Sequence, residues 1–137
     1  MKQGFTLIEL MVALVIVAII LTIAVPSYRN YVSQSRRSDA KTALLDLASR
    51  EERYFSTNNK YSATPSDVGY AGAWPASIPT STQVNYALSI SAATATAFSA
   101  TAVPQGSQAS DPCGTYTINN FGQQGNTGNS LTSAKCW

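Results

Sequence analysis

The spacing of hydrophobic positions changes several times along this 137-residue chain, and each change predicts an element. From Phe5 to Val25 nearly every position is apolar, including Leu7, Ile8, Leu10, Met11, Val12, Leu14 and Ile19. A helix over that run reaches about 31 Å, the thickness of one bilayer core. Apolar side chains on every face leave no stripe to mark which side is water. Such a helix belongs in lipid or inside a sheath of like helices. From Tyr28 to Phe55 the spacing becomes three-and-four, through Ala40, Ala43, Leu44, Leu47 and Ala48, with Arg29, Arg36, Asp39, Asp46, Arg50 and Arg53 opposite. This predicts an amphipathic helix over 30–56. Pro26 lies between the two patterns, removes the N–H that would bond the Thr22 carbonyl, and biases Val25 away from helical geometry. A kink is expected at Pro26.

Asn58-Asn59 ends the helix, and 57–82, with its breakers Pro65, Gly69, Gly72, Pro75 and Pro79, reads as a connecting loop. Tyr61, Tyr70 and Trp74 are expected to pin it down. A period of two then sets in: Val84, Tyr86, Leu88 and Ile90, followed by Phe98, Ala100 and Ala102, then Tyr116 and Ile118. The predicted strands run from Val84 to Ile90, from Phe98 to Pro104 and from Cys113 to Asn119. The tail from Phe121 to Ser133 reads as loop, with a short last strand before Cys136. The fold class is α+β: a long N-terminal helix whose second half packs on a small antiparallel β-sheet, with a disulfide-bounded C-terminal loop.

Only 12% of residues are charged, about half the usual share, and the formal net charge is +2. Ser, Thr, Asn, Gln and Ala fill the surface instead, as suits a secreted face packed against copies of itself. Cys113 and Cys136 are too far apart for a CxxC element, and histidine is absent. A structural disulfide is the expected reading, and it requires an oxidising compartment. No metal site and no cofactor is expected. Glu51 and Glu52 lie about 100° apart on a helix and read as a solvated face beside Arg50 and Arg53, not as an acid/base pair.

One residue contradicts the apolar run. Glu9 lies one turn inside it, where a carboxylate costs at least a few kcal/mol unless partnered. The candidate cations are Lys2 upstream, Arg29 far downstream, and the new amine at Phe5 if the chain is cut after Gly4. A secretory signal would need a small-residue cleavage site, which Ile23-Ala24-Val25-Pro26 fits poorly. A plain membrane anchor has no use for Glu9.

Lys2-Gln3-Gly4-Phe5-Thr6-Leu7-Ile8-Glu9-Leu10 resembles the prepilin signature of type IV pilins. The resemblance implies a leader at 1–4, a transmembrane and filament-core helix at 5–29, and a globular domain at 30–137 whose sheet and disulfide region occupy 83–137. It implies cleavage between Gly4 and Phe5 by a prepilin peptidase, N-methylation of Phe5, and pairing of Glu9 with the Phe5 amine of a neighbouring subunit. Partners implied are other pilins in a homo- or hetero-polymer and the pilus assembly platform. The prepilin would start in the inner membrane and end in an extracellular filament. Cys113-Gly114-Thr115 and Cys136-Trp137 look like the C-terminal region of type IVa pilins, particularly minor ones.

The function implied is a structural subunit of a type IV pilus serving adhesion, twitching motility or DNA uptake, and no enzyme. Two alternatives share the N-terminal signature. A pseudopilin of a type II secretion system often uses a C-terminal calcium site, yet Asp111 is the only acid after Asp67. A DNA-binding competence pilin wants clustered cations, yet beyond residue 55 only Lys60 and Lys135 are basic. DNA is a possible partner on those two lysines, not the favoured one.

Overall fold

The computed structural model describes residues 6–79, 83–128 and 130–137. Helix α1 (Leu7–Asn58) is followed by β1 (Ala76–Ile78), β2 (Tyr86–Ala93), β3 (Phe98–Pro104), β4 (Thr115–Asn119), β5 (Gln124–Thr127) and a single helical turn, α2 (Ser133–Cys136). The chain divides into two units, residues 1–34 and 35–137.

In the first unit, α1 exposes every residue from Leu7 to Tyr31. Among the described residues α1 is the one helix long and apolar enough to cross a membrane. Pro26 sits within α1 without ending it. One turn before it, the Thr22 hydroxyl donates to the Ile19 carbonyl at 2.6 Å.

In the second unit, Ala40, Leu44, Leu47 and Glu51 are fully buried at spacings of four, three and four, one stripe of α1. That stripe meets the inward residues of an antiparallel sheet ordered β1-β2-β3-β4-β5. Burial alternates strictly along β3, where Phe98, Ala100 and Ala102 point in, and along β4, where Tyr116 and Ile118 do. Ser99 pairs with Asn119 and Ala102 with Tyr116, so the inward rows line up across the strands. A bulge between Ile90 and Ala92 offsets the end of β2. At the end of α1, Asn59 adopts a left-handed φ of 53° and returns its N–H to the Phe55 carbonyl at 2.8 Å. An asparagine accepts that conformation more readily than most residues, which is why the helix stops there.

Four sequence expectations are corrected. The connecting segment 57–82 contains a strand: Ala76–Ile78 pairs with Tyr86–Leu88, although Pro75 and Pro79 bracket it. The Gly- and Gln-rich tail also contains one, since Gln124–Thr127 pairs with β4 through backbone bonds that leave no hydrophobic alternation. Where a last strand was expected before Cys136, the chain makes the turn α2. Glu51 is buried, not solvated. The aromatic pins hold: Tyr61 stacks on Phe55 with centroids 4.6 Å apart, and Trp74 packs on Tyr70 while its indole N–H donates to Ala63. Thr80, Ser81 and Thr82 of the segment lie outside the described residues.

Candidate functional site

Three places bring functional side chains together. The first is the start of α1. Thr6 caps the helix and Glu9 stands three residues on, the spacing of a capping box. The Glu9 carboxylate accepts from the Thr6 backbone N–H at 3.2 Å and the Thr6 hydroxyl at 3.1 Å. The Glu9 N–H in turn donates to the Thr6 hydroxyl oxygen at 3.3 Å. Within one chain, Glu9 is therefore tied to an exposed helix N-terminus, where the helix dipole favours an anion. Gly4 and Phe5, the expected cleavage and methylation positions, lie outside the described residues. The Thr-x-x-Glu spacing was legible in the sequence, and its capping role was missed.

The second place is the disulfide. Cys113 and Cys136 are bonded, both buried, 23 positions apart in sequence. Just ahead lies Asp111, whose side chain is wholly buried. It receives the Arg37 guanidinium of α1 at 2.7 Å, the Tyr86 hydroxyl of β2 at 2.7 Å, the Gln108 amide at 3.1 Å and the Cys113 backbone N–H at 2.9 Å. Burial alone would push this carboxyl up. The Arg37, Cys113 and Tyr86 bonds outweigh burial and hold it below the usual carboxylate range. Burial, reinforced by the charge of Asp111, pushes the Tyr116 hydroxyl up to about 12. Lys41 of α1 reaches the Cys136 carbonyl at 3.2 Å, and Arg36 reaches Ser107 at 2.7 Å. One acid thus joins α1, the sheet and the disulfide, a role the sequence reading did not give it. The available signal was its isolation: no charged residue lies between Asp67 and Asp111.

The third place is one end of the sheet. Tyr61 donates its N–H to the Thr94 carbonyl in the β2–β3 turn, which sets its neighbour Lys60 beside that turn. The Asn120 amide spans from the β4–β5 turn to the Thr96 carbonyl. In that second turn the Asn119 side-chain oxygen accepts from the N–H groups of Phe121 and Gln123, each at 3.0 Å. The Asn119 amide donates to the Gln123 side chain at 2.8 Å, and Gly122 takes the left-handed φ of 69° that closes the turn. The result is a braced hairpin tip that presents Phe121 with 79% of its surface exposed. Amides, threonine hydroxyls, one lysine and the exposed Phe121 ring share this end. Lys135 is elsewhere. It lies in α2, beside the Cys136 carbonyl that Lys41 holds, and positions 41 and 58 of α1 are about 25 Å apart along the helix. The structure does not bring Lys60 and Lys135 together. Among the described residues, no cluster of three acids or cysteines is arranged to hold a metal.

Residues 1–25 match the prokaryotic N-terminal methylation motif. The chain is 37% identical to the type IV major pilin protein PilA of Myxococcus xanthus over 70 residues, 51% of this chain and 32% of that one. It is 34% identical to the fimbrial protein EcpC of Eikenella corrodens over 70 residues, 51% of this chain and 46% of that one. The chain thus spans less than half the length of these curated relatives. The non-core minor pilin PilV of Neisseria meningitidis shares the fold, with a TM-score of 0.52 over 75% of this chain and 94% of that one, at 16% identity. Residues 26–117, two thirds of the chain and most of the unit built around Asp111 and the sheet, match the family described as type IV minor pilin ComP, DNA uptake sequence receptor; the chain belongs to that family of type IV pilins.

Proposed function

We propose that this pilin is a minor subunit that enters a type IV pilus through its N-terminal helix and captures DNA with its globular unit. The matched family carries this reading, because it covers the globular residues and is described as a DNA uptake sequence receptor. The Phe121 tip supports it with suitable chemistry. Asn and Gln amides pair with base edges, and an exposed aromatic ring stacks on bases or wedges between them. Lys60, beside the same turns, is suited to a phosphate. With so few cations, affinity would depend little on counterion release and more on the tip's polar and aromatic groups.

Assembly in this reading follows the N-terminal motif. A prepilin peptidase cuts between Gly4 and Phe5 at the inner membrane and methylates Phe5. The assembly platform then inserts the helix into the filament, where Glu9 leaves Thr6 to pair with the Phe5 amine of a neighbouring subunit. Pro26 is the position where α1 would bend.

Deleting the gene and restoring variants from a second locus tests the proposal. The deletion strain should still make filaments while losing transformation by added DNA. Phe121→Ala and Lys60→Ala should restore filaments but not full uptake, with Phe121→Ala costing about tenfold or more. Full-length protein in detergent micelles should show the same ranking in DNA binding. Loss of all filaments on deletion, or normal transformation without the gene, overturns the reading.

A further inference from the structure

Glu51 and Asp111 are the two buried acids among the described residues, and their surroundings are opposite. Asp111 has an arginine and three further donors. Glu51 has one: its Oε2 accepts the Ser62 backbone N–H at 3.2 Å, and its Oε1 has no partner among the described residues. The basic neighbours on its own helix are not turned to it. Arg50 is spent on Asp46 at 2.7 Å and on the Val68 and Gly69 carbonyls at 3.3 Å each, and Arg53 is exposed.

The titratable groups close enough to interact with the Glu51 charge are Glu52 and Tyr54 on α1, and Tyr61 and Asp67 on the segment packed against it. None of these is a cation. Tyr61 gives its hydroxyl to Glu52 at 2.9 Å, and Ser62 gives its own to Asp67 at 2.6 Å, so neither hydroxyl is left for Glu51. A carboxylate here would be a buried charge with two like charges nearby and only the Ser62 N–H to compensate it.

We propose that Glu51 keeps its proton to higher pH in the folded subunit than in the unfolded chain, and that its ionisation, by placing a poorly compensated charge in this enclosed contact, loosens residues 61–68 from α1. Ser62 is the point of attachment. Its N–H meets Glu51, and its hydroxyl receives the Thr64 N–H ahead of the turn Pro65–Val68. Burial pushes the Glu51 carboxyl up, the Ser62 N–H only partly offsets this, and Glu52 and Asp67 push it further. A group raised in the folded state contributes its stability below the unfolded value and loses it as pH rises through the folded one. The segment is therefore tight in acid and looser in alkali. This holds whether or not the Phe121 tip binds DNA.

Thermal unfolding of the full-length protein in detergent micelles tests the proposal, comparing wild type with Glu51→Gln, which mimics the neutral acid. The two should melt together near pH 4. By about pH 8 the wild type should fall behind the variant by about 5 °C. Parallel profiles across that range overturn the proposal. Amide exchange on the wild type decides independently if the variant folds poorly. After correction for base catalysis, protection at Ser62 should fall with rising pH while Ala100 and Tyr116 stay protected. Uniform behaviour of all three would contradict it.

Discussion

Helix α1 contains two regions built on opposite rules. Residues 7–25 are almost wholly apolar and exposed among the described residues, whereas Ala40, Leu44, Leu47 and Glu51 put one stripe against the sheet. The backbone conformation is the same in both. What differs is where the partner of the apolar surface resides. The stripe has its partner in the same chain, so its energy appears as stability of the globular unit. The faceless run has none among the described residues, so its energy appears only when lipid or other subunits surround it.

Substituting the same residue in each region breaks the comparison most strongly. Leu47→Ala should cost the globular unit about 4 kcal/mol, because a fully buried leucine leaves a cavity. Leu14→Ala should leave its melting unchanged. Both tryptophans, Trp74 and Trp137, lie in the second unit, so their fluorescence reports on that unit alone.

Next comes Asp111→Asn, which keeps the shape of the side chain but strips Arg37 of its counter-charge, at about 3 kcal/mol. The pH dependence has the opposite sign to that of Glu51. Asp111 is held low, so its stability is present above the unfolded carboxyl value and lost as pH falls through the folded one. A melting series on acidification should show the wild type converging on Asp111→Asn.

Replacing both cysteines by serine should cost about 2–3 kcal/mol, chiefly by freeing the unfolded chain. The loss is confined to the second unit, and helicity of α1 in micelles should persist. Asp46→Ala is the smallest effect. Its pair with Arg50 is half exposed and should be worth less than about 1 kcal/mol by the same thermal assay.

The contrast between the two halves of α1 was legible in the sequence because helix periodicity is dense: each apolar residue testifies to a face. The three longer strands were legible for the same reason, through Tyr86, Leu88, Phe98, Ala100 and Ile118. β1 and β5 were not. A three-residue strand between two prolines and a strand of Gln, Gly, Asn and Thr carry no side-chain signature, because partner backbones specify them. Asp111 and Glu51 escaped for a related reason. Whether an isolated acid is solvated, paired or enclosed depends on residues such as Arg37 and Ser62 that meet it only after folding. Phe121 had a local signal, a lone aromatic beside Asn119, Asn120 and Gly122, and it looked like ordinary loop composition.

In the proposed assembly, Glu9 is the residue of the first half of α1 that most directly links it to other subunits. Its carboxylate is satisfied by Thr6 within the single chain, so removing it should not prevent processing or membrane insertion. The decisive measurement is the ratio of subunit in sheared filaments to subunit in membranes for Glu9→Val, with a wild-type copy also expressed. The expected result is normal membrane protein and near-complete loss from filaments, with partial incorporation of Glu9→Asp. Glu9→Val entering filaments at the wild-type ratio would contradict the intersubunit role and leave Glu9 as a helix cap alone.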